Sequence, residues 1–356
     1  MGIKEILMAA VKFDASDIHI IPGRPPFLRI NGEMKSLNTD VLTSADVQDL
    51  IFGFLNESLI NKFKKNMELD TSISVQGIGR FRVNVLEQKD GIGAVLRVIP
   101  SEIPLPQEIG IGERLLELSE VPRGMVLVTG PTGSGKSTTL ASLINDINKN
   151  RRDHIITIED PIEYVYPRKK CVITQREIGS HSNSFKEALK RAMRQDPDVC
   201  LVGEMRDLET ISSALTLAET GHLVLATLHT TDAAQTVDRI IDVFPPYQQQ
   251  QVRTQLAGVL KAVVCQQLMI TADEKGRVAA REIMVVTSGI SNLIREGKTH
   301  QIYSALETGQ QEGSQTLDKD LIRLVKTGKI TSGTAVAKSN NPDMIQKQLR
   351  ESGAQR

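Results

Sequence analysis

Tryptophan is absent from this 356-residue sequence, and aromatic side chains make up only 3% of it. The 43 basic and 43 acidic side chains cancel, so the formal net charge at pH 7 is zero. A protein that tracks along nucleic acid needs an excess of cations and aromatic surfaces on which bases stack. The composition therefore gives little support to a nucleic-acid translocase, and we expect no direct nucleic-acid partner.

Long hydrophobic runs are also absent. No apolar stretch approaches the roughly eighteen residues that a membrane-spanning helix needs. Residues 1–5 lack the charged-then-apolar order of a signal peptide. We therefore expect no transmembrane segment and a cytoplasmic protein.

Cysteine is scarce. Its three occurrences, Cys171, Cys200 and Cys265, lie far apart in apolar stretches and form no C-x-x-C pair. Zinc sites and disulfide frameworks use closely spaced or regularly paired cysteines. We therefore predict reduced thiols inside the hydrophobic core.

The remaining composition, 40% hydrophobic and 24% charged, is ordinary for a globular protein, and the length allows two domains. Residues 1–99 are predicted to form a small α+β domain. The pattern predicts a helix at 3–11, strands at 16–20 and 27–30, a tight hairpin turn at Asn31-Gly32, a helix capped at Thr43-Ser44, and a meander of strands at 69–75, 79–88 and 92–99.

Arginines occupy one face of this meander. Arg80 and Arg82 alternate with apolar residues in the strand predicted at 79–88, and Arg97 lies on the next strand. Two interpretations are open. The face is either solvated, which the spacing alone favours, or its guanidinium groups reach a phosphate bound by another domain or subunit.

Residues 100–112 interrupt all periodicity with prolines and glycines, which predicts a semi-rigid interdomain linker. Residues 113–339 then alternate strands with helices, which implies an α/β domain with a mostly parallel sheet and a helical C-terminal part. The predicted strands lie at 125–129, 154–159, 171–174, 199–202 and 222–229, followed by a hairpin at 263–270 and 278–286. The polar tail at 340–356 is predicted to fray.

A glycine-rich segment follows the first of these strands and precedes a helical pattern. Its sequence is Gly130-Pro131-Thr132-Gly133-Ser134-Gly135-Lys136-Ser137-Thr138. Glycines at this spacing let backbone N–H groups surround a polyphosphate at a helix N-terminus. Lys136 would reach the β- and γ-phosphates, and Ser137 would hold Mg²⁺ through its hydroxyl. A chance match in a strand-to-helix turn is the alternative, and the strand and helix in register disfavour it.

Three further strand ends carry groups suited to nucleotide hydrolysis, because active residues collect at the carboxyl ends of parallel strands. Glu163 follows the strand predicted at 154–159 and is our candidate base for activating water. Glu204 stands where a usual Walker B strand has aspartate, and its longer arm suggests Mg²⁺ binding through water. His229 ends the strand predicted at 222–229 and can approach the γ-phosphate. His222 and Asp198 lie at the opposite ends of their strands.

Taken together, four segments resemble the secretion ATPases of type II and type IV pilus systems, and most closely the pilus retraction ATPases. The segments are GPTGSGKSTTL at 130–140, IEDPIEY at 158–164, GEMRD at 203–207 and TGHLVLATLHTT at 220–231. The resemblance runs from about residue 6 to about residue 333. It implies a RecA-like P-loop ATPase domain preceded by a PAS-like α+β domain, and assembly as a hexameric ring that uses ATP and Mg²⁺.

The resemblance also implies roles for individual residues. Glu163 corresponds to the catalytic glutamate and Glu204 to the Mg²⁺-associated one, while His222 and His229 belong to the histidine box. A further set, Arg80, Arg82 and Arg97, matches arginines that approach nucleotide across a subunit boundary. The implied partners are an inner-membrane pilus platform protein and, indirectly, pilin, with the ring docked at the inner face of the cytoplasmic membrane.

Residues 289–296, GISNLIRE, resemble the C-terminal retraction signature AIRNLIRE, with departures at Gly289 and Ser291. Extension and type II secretion ATPases commonly carry an additional N-terminal domain and a four-cysteine insertion. The sequence begins near the PAS-like domain and has no paired cysteines, so retraction is favoured over extension or secretion. An accessory retraction ATPase is an alternative within the family. A regulatory nucleotide-binding module without turnover is disfavoured, because both candidate catalytic acids, Glu163 and Glu204, are present.

Overall fold

The computed structural model describes residues 1–30, 32–100, 102–309 and 311–351. The chain divides into two compact units, one of residues 1–102 with 163–165 and one of residues 103–162 with 166–356. The elements of the first unit are α1 (Ile3–Lys12), β1 (Asp17–Ile20), β2 (Phe27–Ile30), β3 (Glu33–Ser36), α2 (Ser44–Phe52), α3 (Glu57–Asn66), β4 (Glu68–Val75), β5 (Gly79–Gln88) and β6 (Gly91–Ile99).

The first unit is a six-stranded antiparallel sheet in the order β3-β2-β1-β6-β5-β4. Its core contains Phe81 and Val83 from β5 together with Ile6 of α1 and Ile51 of α2. Thr43 caps α2 as predicted, with its hydroxyl accepting from the N–H of Asp46. The predicted small α+β organisation is therefore observed.

Two details of this unit differ from the sequence prediction or lie outside it. Helix α3 was not predicted; Asn56 caps it by accepting from the N–H of Leu59, and Phe63 is buried. Of the predicted turn, Asn31 lies outside the described residues. Gly32 has a φ of +86°, and Ile30 pairs with Glu33 in the hairpin that the turn connects.

The second unit is an α/β layer structure. Its elements are α4 (Glu113–Glu120), β7 (Gly124–Thr129), α5 (Lys136–Asn150), β8 (His154–Glu159), β9 (Val172–Glu177), α6 (Phe185–Ala192), β10 (Val199–Val202), α7 (Leu208–Glu219), β11 (Leu223–Leu228), α8 (Ala233–Asp242), α9 (Pro246–Val259), β12 (Leu260–Ile270), β13 (Arg277–Val285), α10 (Ser288–Glu296), a 3₁₀ turn (Thr299–Gln301), α11 (Ile302–Thr308), α12 (Leu317–Lys326), α13 (Ser332–Lys338) and α14 (Pro342–Glu351).

The seven strands of this unit form one sheet in the order β13-β12-β7-β11-β10-β8-β9. All neighbouring pairs are parallel except the β12–β13 hairpin. Every residue of β7, β10 and β11 is buried. This is the pattern of a parallel sheet covered on both faces, and the predicted mostly parallel sheet is confirmed.

The two ends of this unit include the predicted semi-rigid linker and the predicted frayed tail. Within the predicted linker, Ser101 lies outside the described residues and residues 103–112 belong to the second unit. At the other end the predicted fraying is wrong over Pro342–Glu351, because Ile345 and Leu349 are buried against α12 and α13. The chain's polar composition there concealed an amphipathic helix.

The three cysteines are free and buried, as predicted. Burial raises the pKa of the Cys200 thiol to about 12, so this group stays protonated and unreactive at neutral pH. Throughout the described part of the chain, no helix has the length and apolar character needed to cross a membrane.

Glu282 on β13 is a buried carboxyl group, 2% exposed, and its Oε1 accepts a 2.8 Å hydrogen bond from the N–H of Ala233. Burial, reinforced by the charges of Asp232 and Asp318, raises the pKa of Glu282 from 4.5 to about 7. Between pH 4.5 and about pH 7, the carboxyl group of Glu282 is therefore protonated in the folded state and ionised in the unfolded state. The contribution of Glu282 to stability is present below pH 4.5 and is lost as the pH rises to about 7.

We expect Glu282→Gln to remove this pH dependence. Between about pH 5 and about pH 7.5, the free energy of unfolding of the wild type should fall relative to the variant, by on the order of 3 kcal/mol at most. Denaturant unfolding at the two pH values measures the difference. Glu274→Gln, in the exposed turn of the same hairpin, is the matched control. Equal pH dependence in wild type and Glu282→Gln would contradict the assignment.

Candidate active site

The glycine-rich loop connects β7 to α5 at the carboxyl edge of the parallel sheet. Gly130, Gly133 and Gly135 all have positive φ angles, of +144°, +77° and +84°. A Cβ atom on Gly130 would lie 2.2 Å from the carbonyl oxygen of Gln266. Glycine is therefore required where the loop passes β12, and the loop curves as a phosphate-binding loop does.

The helix after the loop begins without a side-chain cap. Its N-cap residue is Gly135, whereas Ser184, Asp207 and Asp232 accept from first-turn N–H groups at the starts of α6, α7 and α8. An uncapped helix N-terminus presents N–H donors and the positive end of the helix dipole to an anion. The fifteen-residue helix α5 therefore aims these donors at the loop.

Lys136 is the first residue of α5 and is buried. Its Nζ donates to the carbonyl oxygens of Gly130 and Pro131, at 2.8 and 3.1 Å. The ammonium is thus held over the loop that would receive the phosphates. Ser137, the next residue, is half-buried on the same turn of the helix.

Glu204 follows β10 at the same edge of the sheet, next to basic side chains. Arg206 donates to its Oε1, and the same oxygen lies 3.1 Å from Nε2 of His229, which follows β11. Burial raises the pKa of Glu204, but Arg206, His229 and Lys136 outweigh burial and hold that pKa below its usual value. The structure therefore brings Glu204 and His229 together, and Lys136 is near enough to lower the pKa of Glu204, whose carboxylate is ionised.

Backbone contacts fix the position of Glu204. The N–H of Gly203 donates to the carbonyl of Ile158 at 2.8 Å, and the carbonyl of Gly203 accepts from the hydroxyl of Thr227. A Cβ atom on Gly203 would lie only 3.2 Å from Cα of Glu159. The glycine before Glu204 thus lets three strand ends pack closely, which sets the direction of the carboxylate.

The acidic segment after β8 is held by the neighbouring strand. Glu177 at the end of β9 is 2% exposed; its Oε2 accepts from the N–H of Ile162, and its Oε1 accepts from the hydroxyl of Ser180. Gln175 accepts from the N–H of Tyr166. Glu163 lies between these two anchor points and groups with the first compact unit, so its place relative to bound phosphate stays a prediction.

Two polar residues that we placed at the opposite edge of the sheet do lie there. The carboxylate of Asp198 accepts a 2.8 Å hydrogen bond from the N–H of His154 at the start of β8. Nδ1 of His222 lies 2.9 Å from the carbonyl oxygen of Leu217 and 3.1 Å from the hydroxyl of Thr220. Both residues join strand and helix ends, far along their strands from the loop.

Arg80, Arg82 and Arg97 of the first unit share one face of its sheet. Arg82 and Arg97 are directly opposite each other on β5 and β6. Nε of Arg97 donates to Asp17 at 2.8 Å, and Nη2 of Arg80 donates to the hydroxyl of Ser72 at 2.6 Å. Arg82 and the side chain of Arg97 are exposed. Whether these arginines reach a phosphate across a subunit boundary stays a prediction.

The donor set fits a magnesium ion that is bound mainly by nucleotide. Mg²⁺ prefers oxygen ligands and usually combines one or two protein groups with phosphates and water. Ser137 offers a hydroxyl, and the ionised Glu204 offers a carboxylate. Among the described residues, no cluster of three His, Cys, Asp or Glu side chains could hold a metal by itself.

The parallel sheet, the glycine-rich loop with its lysine, and the ionised carboxylate at the same sheet edge define a P-loop nucleotide-binding protein. Residues 2–346 match the family described as Type II/IV secretion system protein. The chain belongs to this family, and the predicted resemblance and α/β fold class are confirmed. The PAS-like character of the first unit stays a prediction.

The chain is similar to proteins named for pilus retraction and motility. It is 49% identical over 343 residues to the Type IV pilus retractation ATPase PilT of Pseudomonas aeruginosa, covering 96% of this chain and 99% of that protein. It is 48% identical over 320 residues to a Twitching motility protein of Neisseria gonorrhoeae, covering 90% and 86%. A crystal structure of the pilus retraction motor PilT with bound ADP matches with a TM-score of 0.92 at 45% identity, covering 98% and 99%.

The segment that resembles the retraction signature forms helix α10, with Ile290 and Ile294 buried. Ser291, one of the two departures, donates from its hydroxyl to the carbonyl of Ala257 on α9 at 2.7 Å. Gly289, the other, has room for a Cβ atom. The serine therefore ties α10 to α9 at a position where the signature carries an arginine.

Sequence reasoning missed three residues that shape this site. Arg206 was visible inside the GEMRD segment, but its pairing with Glu204 depends on a turn that the spacing does not reveal. Glu177 and Gln266 lie on other strands, and their contacts with the acidic segment and the loop span 15 and 132 residues of sequence. No local pattern marks such partners.

Proposed function

We propose that this protein is the ATP-hydrolysing motor that powers retraction of type IV pili. One observation carries the proposal: a phosphate-binding loop with its buried lysine and an ionised glutamate lie at one sheet edge. The chain that carries them is similar over nearly its full length to a retraction ATPase. Nucleotide binding and ATPase activity follow from the family and from the relative that binds ADP.

In this mechanism the loop residues bind and orient the triphosphate. Lys136 would exchange the carbonyls of Gly130 and Pro131 for phosphate oxygens, because an ionised acceptor makes the stronger hydrogen bond. Glu163 would take a proton from the attacking water. His229, held against Glu204, would lie near the γ-phosphate.

Ser137 and Glu204 would hold Mg²⁺ through their oxygen atoms. The bound ion would supply positive charge that offsets the charge of the phosphates. Glu204 can serve because its low pKa keeps the carboxylate ionised at neutral pH. Arg80, Arg82 and Arg97 of a neighbouring subunit would offset the remaining negative charge.

The proposed assembly is a homohexameric ring at the inner face of the cytoplasmic membrane. Its partners would be an inner-membrane platform protein and, through it, pilin. Nucleotide-driven movement in successive subunits would then displace the central partner. In this scheme the ring can also hydrolyse ATP when the platform protein is absent.

Cells provide the direct test of the function. In the organism that carries this chain, we expect deletion of the chain and the Glu204→Ala variant to give the same result: excess surface pili and loss of twitching. Pili are counted by electron microscopy, and twitching is measured as surface spreading. Glu219→Ala, which removes an exposed carboxylate at the other sheet edge where Gln255 donates to it, is the control. Cells without pili would instead indicate an extension ATPase.

A further inference from the structure

Two buried polar side chains of the β12–β13 hairpin are linked by hydrogen bonds to each other and to the phosphate-binding loop. Gln266 of β12 is 2% exposed. Its Nε2 donates to the carbonyl oxygen of Ser134 in the loop at 2.6 Å, and its Oε1 accepts from the hydroxyl of Thr139, in the first turns of α5, at 2.9 Å. One amide group therefore holds both the loop and the helix that follows it.

Arg281 fixes that amide from the next strand. It is 3% exposed and stands directly opposite Gln266 in the hairpin. Its Nε donates to Oε1 of Gln266 at 3.2 Å. Burial lowers the pKa of Arg281 to about 10, so the guanidinium is still charged at neutral pH. A buried cation is tolerated where its donors are satisfied.

The two Nη atoms of the guanidinium hold a segment near the start of the second unit. Nη1 and Nη2 of Arg281 donate to the carbonyl oxygens of Gly110 and Ile109, both at 2.8 Å. Gly110 has a φ of +67° and closes a turn in which the N–H of Ile111 donates to the carbonyl of Pro106. We call residues 104–111 the linker turn.

A second contact docks the same segment on the helix after the loop. The hydroxyl of Ser142 on α5 donates to the carbonyl of Pro104 at 3.0 Å. The linker turn is thus attached both to α5 and, through Arg281 and Gln266, to the carbonyl of Ser134. Hydrogen bonds of fixed direction therefore connect the segment at 104–110 with the phosphate-binding loop.

We propose that Arg281 and Gln266 are positioning residues that make nucleotide affinity depend on docking of the linker turn. Displacing the turn removes two acceptors from a buried guanidinium, which then no longer holds the Gln266 amide in the orientation that fixes Ser134. The coupling is reciprocal, so bound nucleotide stabilises the docked turn to the same degree. This inference rests on the proposed nucleotide site and adds its regulation by the linker.

The test is a double-mutant cycle on the purified full chain, with the Kd for a fluorescent ADP analogue as the readout. Gly110→Ala strains the linker turn, because an L-residue is disfavoured at this positive φ. We expect it to raise Kd roughly 5- to 10-fold in the wild type. In an Arg281→Met background, which has already lost the connection, the same change should alter Kd less than about 2-fold beyond the roughly 10-fold effect of Arg281→Met alone.

Two further variants sharpen the result. Arg281→Lys keeps the charge but cannot make all three directional bonds, and it serves as the second background should Arg281→Met fold poorly. Arg323→Met is the control: it removes the partner of Asp320 at 2.7 Å, and Asp320 contacts the backbone N–H of Arg281 rather than its guanidinium. Its Kd should stay within about 2-fold of the wild-type value.

If Arg281 and Gln266 have a purely structural role, Gly110→Ala should raise Kd by the same factor in both backgrounds. That result, or an unchanged Kd for Gly110→Ala in the wild type, would overturn the proposal while leaving the nucleotide site intact. Failure of the wild type itself to bind the analogue would overturn the nucleotide site and the coupling together. Loss of the Gly110→Ala effect on Kd in the Arg281 variants would support the proposed coupling.

Discussion

Replacing Lys136 by methionine is expected to lower ATP hydrolysis by about 10²–10³-fold. Methionine is similar in length and fits the same buried position, but it removes the ammonium that the loop carbonyls of Gly130 and Pro131 now hold. Phosphate oxygens would then lose a charged donor both in the bound state and as the terminal bond breaks. Phosphate release from purified protein measures the loss, and titration with a fluorescent ATP analogue should show weaker binding.

The control for this change lies on the same helix. Lys149 is exposed in the last turn of α5, so Lys149→Met alters charge and composition equally without touching the loop. Its hydrolysis should match the wild type. Near-normal turnover by Lys136→Met would show that the loop does not bind the reacting phosphates.

The second large effect is expected from Glu163→Gln. Glutamine keeps the size of the side chain but cannot accept a proton from water, so hydrolysis should fall by about 10²–10⁴-fold. ATP binding should be almost unchanged, because the loop, Lys136 and the N-terminus of α5 are intact. Single-turnover hydrolysis and equilibrium binding, measured side by side, separate the two effects.

Glu219→Gln makes the same chemical change at the opposite edge of the sheet and should leave turnover unaltered. Equal losses of binding and hydrolysis in Glu163→Gln would point to a structural role within the acidic segment. Near-normal turnover would assign the base to another carboxylate.

Much of the fold could be predicted because local patterns determine it. The alternation in β5 predicted which residues face the core, and Phe81 and Val83 are buried. The apolar runs of β7, β10 and β11 are continuous because helices cover both faces of a parallel sheet. Helix α3 and helix α14 were missed because polar residues dominate both segments, and only a few apolar positions contact the core.

The candidate site could be predicted in part for a related reason. Carboxyl ends of adjacent parallel strands meet at one edge, so Lys136, Glu204 and His229 could be placed together before any coordinates. Strand direction likewise placed Asp198 and His222 at the other edge, where each joins a neighbouring element.

Supporting residues could not be predicted, because they depend on which strands become neighbours. Gln266 reaches Ser134 only because β12 lies next to β7, and Arg281 reaches Gln266 only through the register of the β12–β13 hairpin. A glutamine and an arginine within strands carry no mark of such roles. The prolines predicted a semi-rigid linker, but no local pattern indicated that its carbonyl oxygens accept hydrogen bonds from Arg281 and Ser142.

The central claim is that a metal-bound triphosphate lies on the loop before α5, opposite Glu204. A crystal structure of the full chain with Mg²⁺ and a non-hydrolysable ATP analogue tests it most directly. We predict that the β- and γ-phosphates contact the loop N–H groups, that Nζ of Lys136 leaves the carbonyls of Gly130 and Pro131 for phosphate oxygens, and that the carboxylate of Glu204 faces the metal. Phosphates bound away from Lys136, or an analogue that does not occupy the loop at saturating concentration, would contradict the claim.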